Sequence, residues 1–453
     1  MYRSRLNDLK LWACASRHKP LIIRGARQVG KTTLVSLFAQ ENAFELLQLN
    51  FERNPEYADF FNVNDPKQII SLLEIQFNQD IKAGKTLLFL DEIQAQPTVL
   101  KTLRYFYEEM PDLHIIAAGS LLDFELNAPS YSIPVGRISY MHLHPMGFIE
   151  FLLAIGKDKL SAFIQNYQLN DTLPDTIHQA LLKQFQIYIA IGGMPEVVAM
   201  YAKTGSFKQC EMLKQDLLAT FQNDFAKYAN NMDTNLIRKV FSKVPAIIGN
   251  KVKYSNLLPD YKAAQVSRII DLLSHARLIQ KVIRTSANGV PLAAEANHKF
   301  FKLIFLDVGL VSSILNLTYQ ALEADDLMQI NSGSLAEQWV GQALLLSQPY
   351  NQQPELHYWA REKKSSSAEL DYVAAISDKV IGIEVKAGKT GTLKSLHLFL
   401  NEKSTPLAIR FSLQKTSLLN ESKLLSLPLY FAEEFHRLGK QGLSLLHSDT
   451  VKG

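Results

Sequence analysis

An α/β fold built on a parallel sheet is what the sequence predicts, and three stretches predict it. Leu21-Ile-Ile leads into Gly25-Ala-Arg-Gln-Val-Gly-Lys-Thr32, and Leu34, Leu37 and Phe38 follow at helical spacing. That order is strand, glycine-rich turn, helix. Leu87 to Leu90 is continuously apolar and runs straight into Asp91-Glu92, the pattern of a central parallel strand buried on both faces. His114-Ile-Ile-Ala-Ala-Gly-Ser120 is a third apolar run, ending on a small hydroxyl.

The first stretch reads G-x-x-x-x-G-K-T, a P-loop. Gly25 and Gly30 allow a tight turn and a close approach to phosphate oxygens. The loop amides of Gly25, Ala26, Arg27, Gln28, Val29, Gly30 and Thr33 point at the anion, as does the helix N-terminus. Lys31 is expected to reach the β- and γ-phosphates and the Thr32 hydroxyl to hold Mg²⁺. At the end of the second stretch, two acids sit where ligands bind in open α/β sheets. Asp91 would support the same Mg²⁺, and Glu92 would orient or deprotonate the attacking water. Ser120 is placed to sense the γ-phosphate. Arg137, after Gly136, is a candidate charge-stabilising arginine, with an ordinary surface arginine as the equal alternative. The expected cofactors are ATP and Mg²⁺. His142 and His144 share a strand face, where packing is the better reading than a metal pair.

Residues 5–16 read as a short helix before the P-loop strand, 45–50 as a second strand and 137–143 as a fifth. A length of 453 residues suggests about three structural units. With 47% hydrophobic and 20% charged residues the chain has the composition of a globular protein. Its two cysteines, Cys14 and Cys210, make no metal-ligand pattern and suit a reducing compartment. No apolar run approaches the roughly 18 residues of a membrane helix, and the first ten residues lack an apolar signal core. A cytoplasmic protein without a membrane partner is the expectation.

After the nucleotide-binding part, residues 148–154, 181–191 and 213–228 have helical apolar spacing, interrupted at Gly192-Gly193-Met-Pro195. From Arg238 to Arg284 ten basic residues face two acidic ones, a local balance of +8 in a chain of net charge +4. Val266, Ile269, Ile270 and Leu273 make one apolar helix face in that segment, leaving Ser267 and Arg268 outside. With a short helix over 255–261, a strand over 278–283 and the turn Asn288-Gly289, this reads as a winged helix-turn-helix. Such a basic module suits DNA or other nucleic-acid backbone. A protein partner, or a second copy of the chain, is the alternative.

The C-terminal part opens on the strand-like run 302–310. A helix over 334–345 carries Glu337, and strands over 369–374 and 381–387 make a hairpin. Alternation puts Glu384 and Lys386 on one face, so that Asp371, Glu384 and Lys386 converge. Glu337, Asp371 and Glu384 would hold a second divalent ion, Mg²⁺ or Mn²⁺. Lys386 would stabilise charge on a phosphate under attack. The alternative is a plain hairpin with solvated acids.

Taken together, Gly25 to Thr33, Leu87 to Gln94, Ile115 to Ser120, Val135-Gly-Arg137 and Leu143-His-Pro145 resemble a family of AAA+-type ATPases of bacteria and archaea. The resemblance covers essentially the whole chain. It implies an AAA+ core over 1–145, a helical lid over 146–230, a winged helix over 231–295 and a C-terminal domain over 296–453 resembling restriction endonucleases. It also implies that the Ser120 strand lies between the P-loop and Asp91 strands, and that Gly193 and Pro195 of the lid lie against the adenine. The C-terminal residues resemble a PD-(D/E)xK nuclease core, with Asp371 as central acid, Glu384-Val-Lys386 as E-x-K and Glu337 as the first-helix acid. The proline usual before the central acid is missing. Two functions follow as alternatives: an ATPase acting on nucleic acid with a live cleavage domain, or a nucleotide-controlled switch or interaction protein whose nuclease-like domain does not cut.

Overall fold

The computed structural model describes residues 1–120, 122, 136–229, 232–317, 332–361, 368–386 and 393–450. Val135 and Ala387, both noted in the sequence, lie outside the described residues. Five strands form the first sheet: β1 (Leu21–Arg24), β2 (Glu45–Asn50), β3 (Thr86–Asp91), β4 (His114–Gly119) and β5 (Ser139–His142). All its pairings are parallel, in the order β2-β3-β4-β1-β5. The Ser120 strand therefore lies between the P-loop and Asp91 strands, as the resemblance implies.

Strand periodicity explains the continuous apolar runs. Ile22, Leu88, Leu90, Ile115 and Ala117 face the helices Pro66–Phe77 and Leu103–Glu109. Their alternates Leu21, Ile23, Leu87, Phe89, Ile116 and Ala118 face the helices Arg5–Ala13 and Lys31–Glu41. The central strands β3 and β4 are buried on both faces, which is why their runs Leu87–Leu90 and Ile115–Ala118 are continuously apolar, whereas edge strand β2 exposes Glu45 and Gln48. Helix Pro66–Phe77 shows how local sequence bounds such elements. Asp65 accepts from the N–H groups of Lys67 and Gln68, Pro66 takes the first turn, and Asn78 ends the helix in the left-handed region at φ 47°.

The second sheet has eight strands: β6 (Ile279–Thr285), β7 (Ala296–Phe305), β8 (Leu356–Ala360), β9 (Glu369–Ile376), β10 (Lys379–Val385), β11 (Ala408–Ser412), β12 (Ser417–Leu419) and β13 (Leu424–Pro428). They run in the order β12-β13-β11-β10-β9-β8-β6-β7. Here the structure corrects the division drawn from sequence. The border at 295/296 falls inside the antiparallel hairpin of β6 and β7, and β6 pairs in parallel with β8. One continuous apolar core runs from Met146 through Val266 and Ile304 to Leu438, so lid, basic segment and C-terminal domain are packed as one body. Long-range pairing of this kind leaves no local trace in the residues.

Two elements end where local chemistry, not periodicity, decides. The helix expected over 255–261 is the single turn Tyr254–Leu257, because Pro259 holds Leu258 extended at φ −141°. The strand-like run 302–310 stops at Phe305. Asp307 then caps the helix Val308–Ile314, accepting from the N–H groups of Gly309 and Leu310. Helix Ala263–His275 buries Val266, Ile269, Ile270 and Leu273, the face read from the sequence.

Glu433 marks where the C-terminal body meets the lid. Its carboxylate accepts from the Ile149 N–H at 3.2 Å, at the start of the helix Phe148–Ala154. Burial nevertheless pushes it up to about 8, with the Glu150 charge adding to the effect. A carboxyl raised in the folded state stabilises below its unfolded value near 4.5 and loses that contribution as pH rises towards 8. Glu433→Gln is therefore expected to gain melting temperature relative to the parent chain between pH 5.5 and 8.5. Parallel melting curves for the two proteins would show no pH-dependent difference if the carboxyl is not titrating there.

Candidate functional site

The P-loop joins β1 to the helix Lys31–Glu41. Gly30 turns the chain at φ +88°, where a side chain would be strained. Lys31 is buried, and its ammonium donates to the carbonyls of Gly25 at 3.1 Å and Ala26 at 2.9 Å. Burial pulls it down to about 8, opposed by the charges of Glu92 and Asp91. The Thr32 hydroxyl lies 3.2 Å from the Asp91 carboxylate. Gln48 donates to that carboxylate at 2.9 Å and Asn50 at 3.3 Å. Burial raises Asp91, and the neighbouring Glu92 adds to it. Glu92 follows at φ 50°, and Gln94 donates to its carboxylate at 2.6 Å. A hydroxyl, a fixed carboxylate and a buried ammonium are the donor set that suits a magnesium–triphosphate, and they lie together here. Ser120 is buried just past the end of β4, between β1 and β3.

Several partners of this site were not legible in the sequence. Arg3 donates to the P-loop carbonyl of Val29 at 2.8 Å and to that of His144 at 2.7 Å, and pairs with Glu150 at 3.2 Å. Arg27 pairs at 2.6 Å with Asp224 on the lid helix Phe207–Tyr228. Pro195 stands against the P-loop, its ring carbon 3.5 Å from where a Cβ on Gly30 would be. Gly193 is held on both sides by protein, its N–H donating to Asp307 at 2.7 Å and its carbonyl accepting from Met146 at 2.7 Å. At Gly192 a Cβ would lie 2.8 Å from the Gly309 backbone, so the lid loop presses directly on the Asp307 cap. Arg137 pairs with Glu108 on the helix Leu103–Glu109 at 2.8 Å. His142 and His144 are kept neutral, chiefly by burial.

Residues 17–152 match the family model described as AAA domain. That stretch holds β1 to β5 and the P-loop, so the similarity to AAA domains falls on the first sheet. Beyond it, residues 182–321 and 332–430 match two further families, each described as a domain of unknown function (DUF8612 and DUF4143). No curated protein matches the chain. Similar solved structures include a Walker-type ATPase of Pyrococcus abyssi, at 13% identity over 69% of this chain and 95% of that one, with a TM-score of 0.43. The RuvB Holliday junction branch migration motor of Thermotoga maritima matches at 15% identity, 62% and 90% coverage and a TM-score of 0.29. DnaA bound to AMPPCP and single-stranded DNA matches at 14%, 60% and 86%, with a TM-score of 0.27. At such values none of them bears on substrate or partner. Among the described residues no helix is long and apolar enough to cross a membrane.

Far from the AAA domain in sequence, the C-terminal acids meet a cation that the sequence did not reveal. Lys302 on β7 is only 2% exposed. Its ammonium lies 3.0 Å from Glu337, 2.8 Å from Glu369 and 3.7 Å from Asp371. Burial alone would lower Lys302, but these three carboxylates outweigh it and hold the ammonium charged. Asp371 also accepts the Val385 N–H at 2.8 Å. Lys386 is 2.5 Å from Glu384, whose other oxygen is buried without a hydrogen-bond partner. Burial and then the Asp371 charge push both Glu337 and Glu384 up. Among the described residues no group of three or more His, Cys, Asp or Glu is arranged to hold a metal ion. Of the three acids expected to hold a divalent ion, Glu337 and Asp371 have the Lys302 ammonium beside them. Glu337, Glu369 and Asp371 surround Lys302, and the E-x-K lysine, Lys386, is paired with its own Glu384.

Proposed function

We propose that the protein is a Mg²⁺-dependent, ATP-hydrolysing switch that acts on or senses nucleic acid, and that its C-terminal domain binds without cutting. The contact of Thr32 with Asp91, beside the buried Lys31, carries the ATP reading. Magnesium supplies charge neutralisation across the β- and γ-phosphates. For the chain's own residues, Lys31 would bind phosphate oxygens, Thr32 and Asp91 would orient the ion, and Glu92 would take the proton of the attacking water. Pro195 and Gly193 would border the base, with Pro195 already against the P-loop.

The lid supports the word switch. Arg27 of the P-loop is tied to the lid helix by Asp224, and the lid loop is tied to Asp307 by Gly193. Gln342 on the helix that carries Glu337 also reaches Asp307, at 3.4 Å. Lys214 on the same lid helix as Asp224 donates to the carbonyls of Ala190 at 2.8 Å and Gly309 at 3.4 Å, which joins the two sets of contacts between P-loop and C-terminal body. Lys302 supports the reading without cleavage, because a fixed monovalent ammonium cannot activate water as a divalent ion does. The basic segment 238–284 supports nucleic acid as the partner, with Lys262 and Arg268 exposed on it.

Melting curves with Mg²⁺ and ATP test the nucleotide reading. At a hundredfold excess over Kd, ligand is expected to stabilise the chain by about 2.7 kcal/mol. Lys31→Ala should show no such rise. Equal rises in both proteins would place the nucleotide elsewhere.

A further inference from the structure

The edge strand β7 carries an irregularity that the nucleotide site does not explain. Ile283 of β6 pairs with Phe301, yet the next residue, Arg284, pairs with Asn297. His298, Lys299 and Phe300 thus have no counterpart on β6, and all three are exposed. Bulges of this kind re-aim side chains away from the pleat. Here the result is a phenylalanine ring left 45% exposed, with the Arg284 guanidinium 4.2 Å from its centre. The Val252 N–H donates to the Phe301 carbonyl at 2.9 Å, which sets exposed Lys253 beside the bulge. A cavity of about 470 Å³ adjoins it, lined among others by Arg284, Asn297, His298 and Lys299. The one carboxylate in that lining, Glu295, is engaged by the N–H and the side chain of Asn288.

An open aromatic face, a guanidinium in contact with the ring, flanking lysines and a polar cavity suit a strand of bases and phosphates better than an apolar peptide. Every base has a π-face, so one ring accepts any of them, and the cations meet the backbone. In a duplex the faces are already stacked on one another and cannot reach the ring.

We infer that the His298–Phe300 bulge is a binding site for unpaired nucleic acid, in which a base stacks on Phe300 and Arg284, Lys299 and Lys253 face the phosphates. This rests on the nucleic-acid reading of the basic segment and names a surface distinct from Lys262 and Arg268. The test is fluorescence anisotropy with the full chain at low salt. The probes are an oligothymidylate of about twenty nucleotides, longer than one stacking site, and a duplex of the same length. Phe300→Ala should weaken single-strand binding roughly tenfold, from the loss of one stacked base, and leave duplex binding unchanged. Phe300→Tyr should keep it. Lys253→Ala with Lys299→Ala should flatten the salt dependence. If the parent chain binds neither probe, the nucleic-acid reading falls together with this one. Single-strand binding that survives Phe300→Ala but is lost in Lys262→Ala with Arg268→Ala would overturn the bulge site alone. Equal loss on both probes would also overturn it, since stacking acts on unpaired bases only.

Discussion

Replacing Lys302 with methionine is expected to destabilise the chain by about 3–5 kcal/mol, the usual cost of removing one partner from a buried ion network. Methionine keeps much of the stem's volume, so the loss is electrostatic. Three carboxylates, from Glu337, Glu369 and Asp371, are left without the ammonium that lies within 3.7 Å of each. Such a set repels itself and takes up protons or a cation. Mn²⁺ should therefore raise the melting temperature of Lys302→Met more than that of the parent chain. Adding Glu337→Gln to the variant should both restore stability and reduce the manganese effect. If manganese stabilises the parent chain as much as the variant, the acids already hold a metal and the lysine-filled cluster is the wrong description.

Glu92→Gln is expected to slow ATP turnover by about 10²-fold, within the range for loss of a general base, while leaving ATP binding intact. Gln94 donates to Glu92 at 2.6 Å and would hold a glutamine oxygen in the same place. Phosphate release and nucleotide-dependent melting, measured on the same preparation, separate the two effects. Turnover equal to that of the parent chain would remove Glu92 from the chemistry.

The turn after β1 and the acids after β3 were legible because their information is local. Gly25 to Thr32 specifies a turn through glycines and a helix start in consecutive residues, and β3 announces its central place by running apolar from Leu87 to Leu90 into Asp91. Residues that complete the site carry no such signal. Arg3 is an ordinary arginine near the N-terminus, and only the fold brings it to the Val29 carbonyl. Gln48 and Asn50 come next to Asp91 because β2 pairs with β3, a neighbour that the sequence did not specify.

The C-terminal cluster was half legible. The hairpin, the helix and the convergence of acids follow from alternation and order, so Glu337, Asp371 and Glu384 were placed in one neighbourhood. Lys302 was read as the start of an apolar strand, because its charge is neutralised by residues from two other elements. Asp307 hid in the same run, although Asp followed by Val-Gly-Leu is a helix-start signal that interrupts any strand. The merging of the basic segment with the C-terminal sheet depends on the parallel pairing of β6 with β8, some seventy residues apart. Residue patterns do not specify such partners.

The central claim is that the Lys31, Thr32, Asp91 and Glu92 site hydrolyses ATP. The most direct measurement is steady-state phosphate release by the full chain with Mg²⁺ and ATP, beside Lys31→Ala. Sustained release that stops with chelator and is absent from Lys31→Ala is the predicted result. No release from the parent chain, or equal release from both proteins, would contradict it.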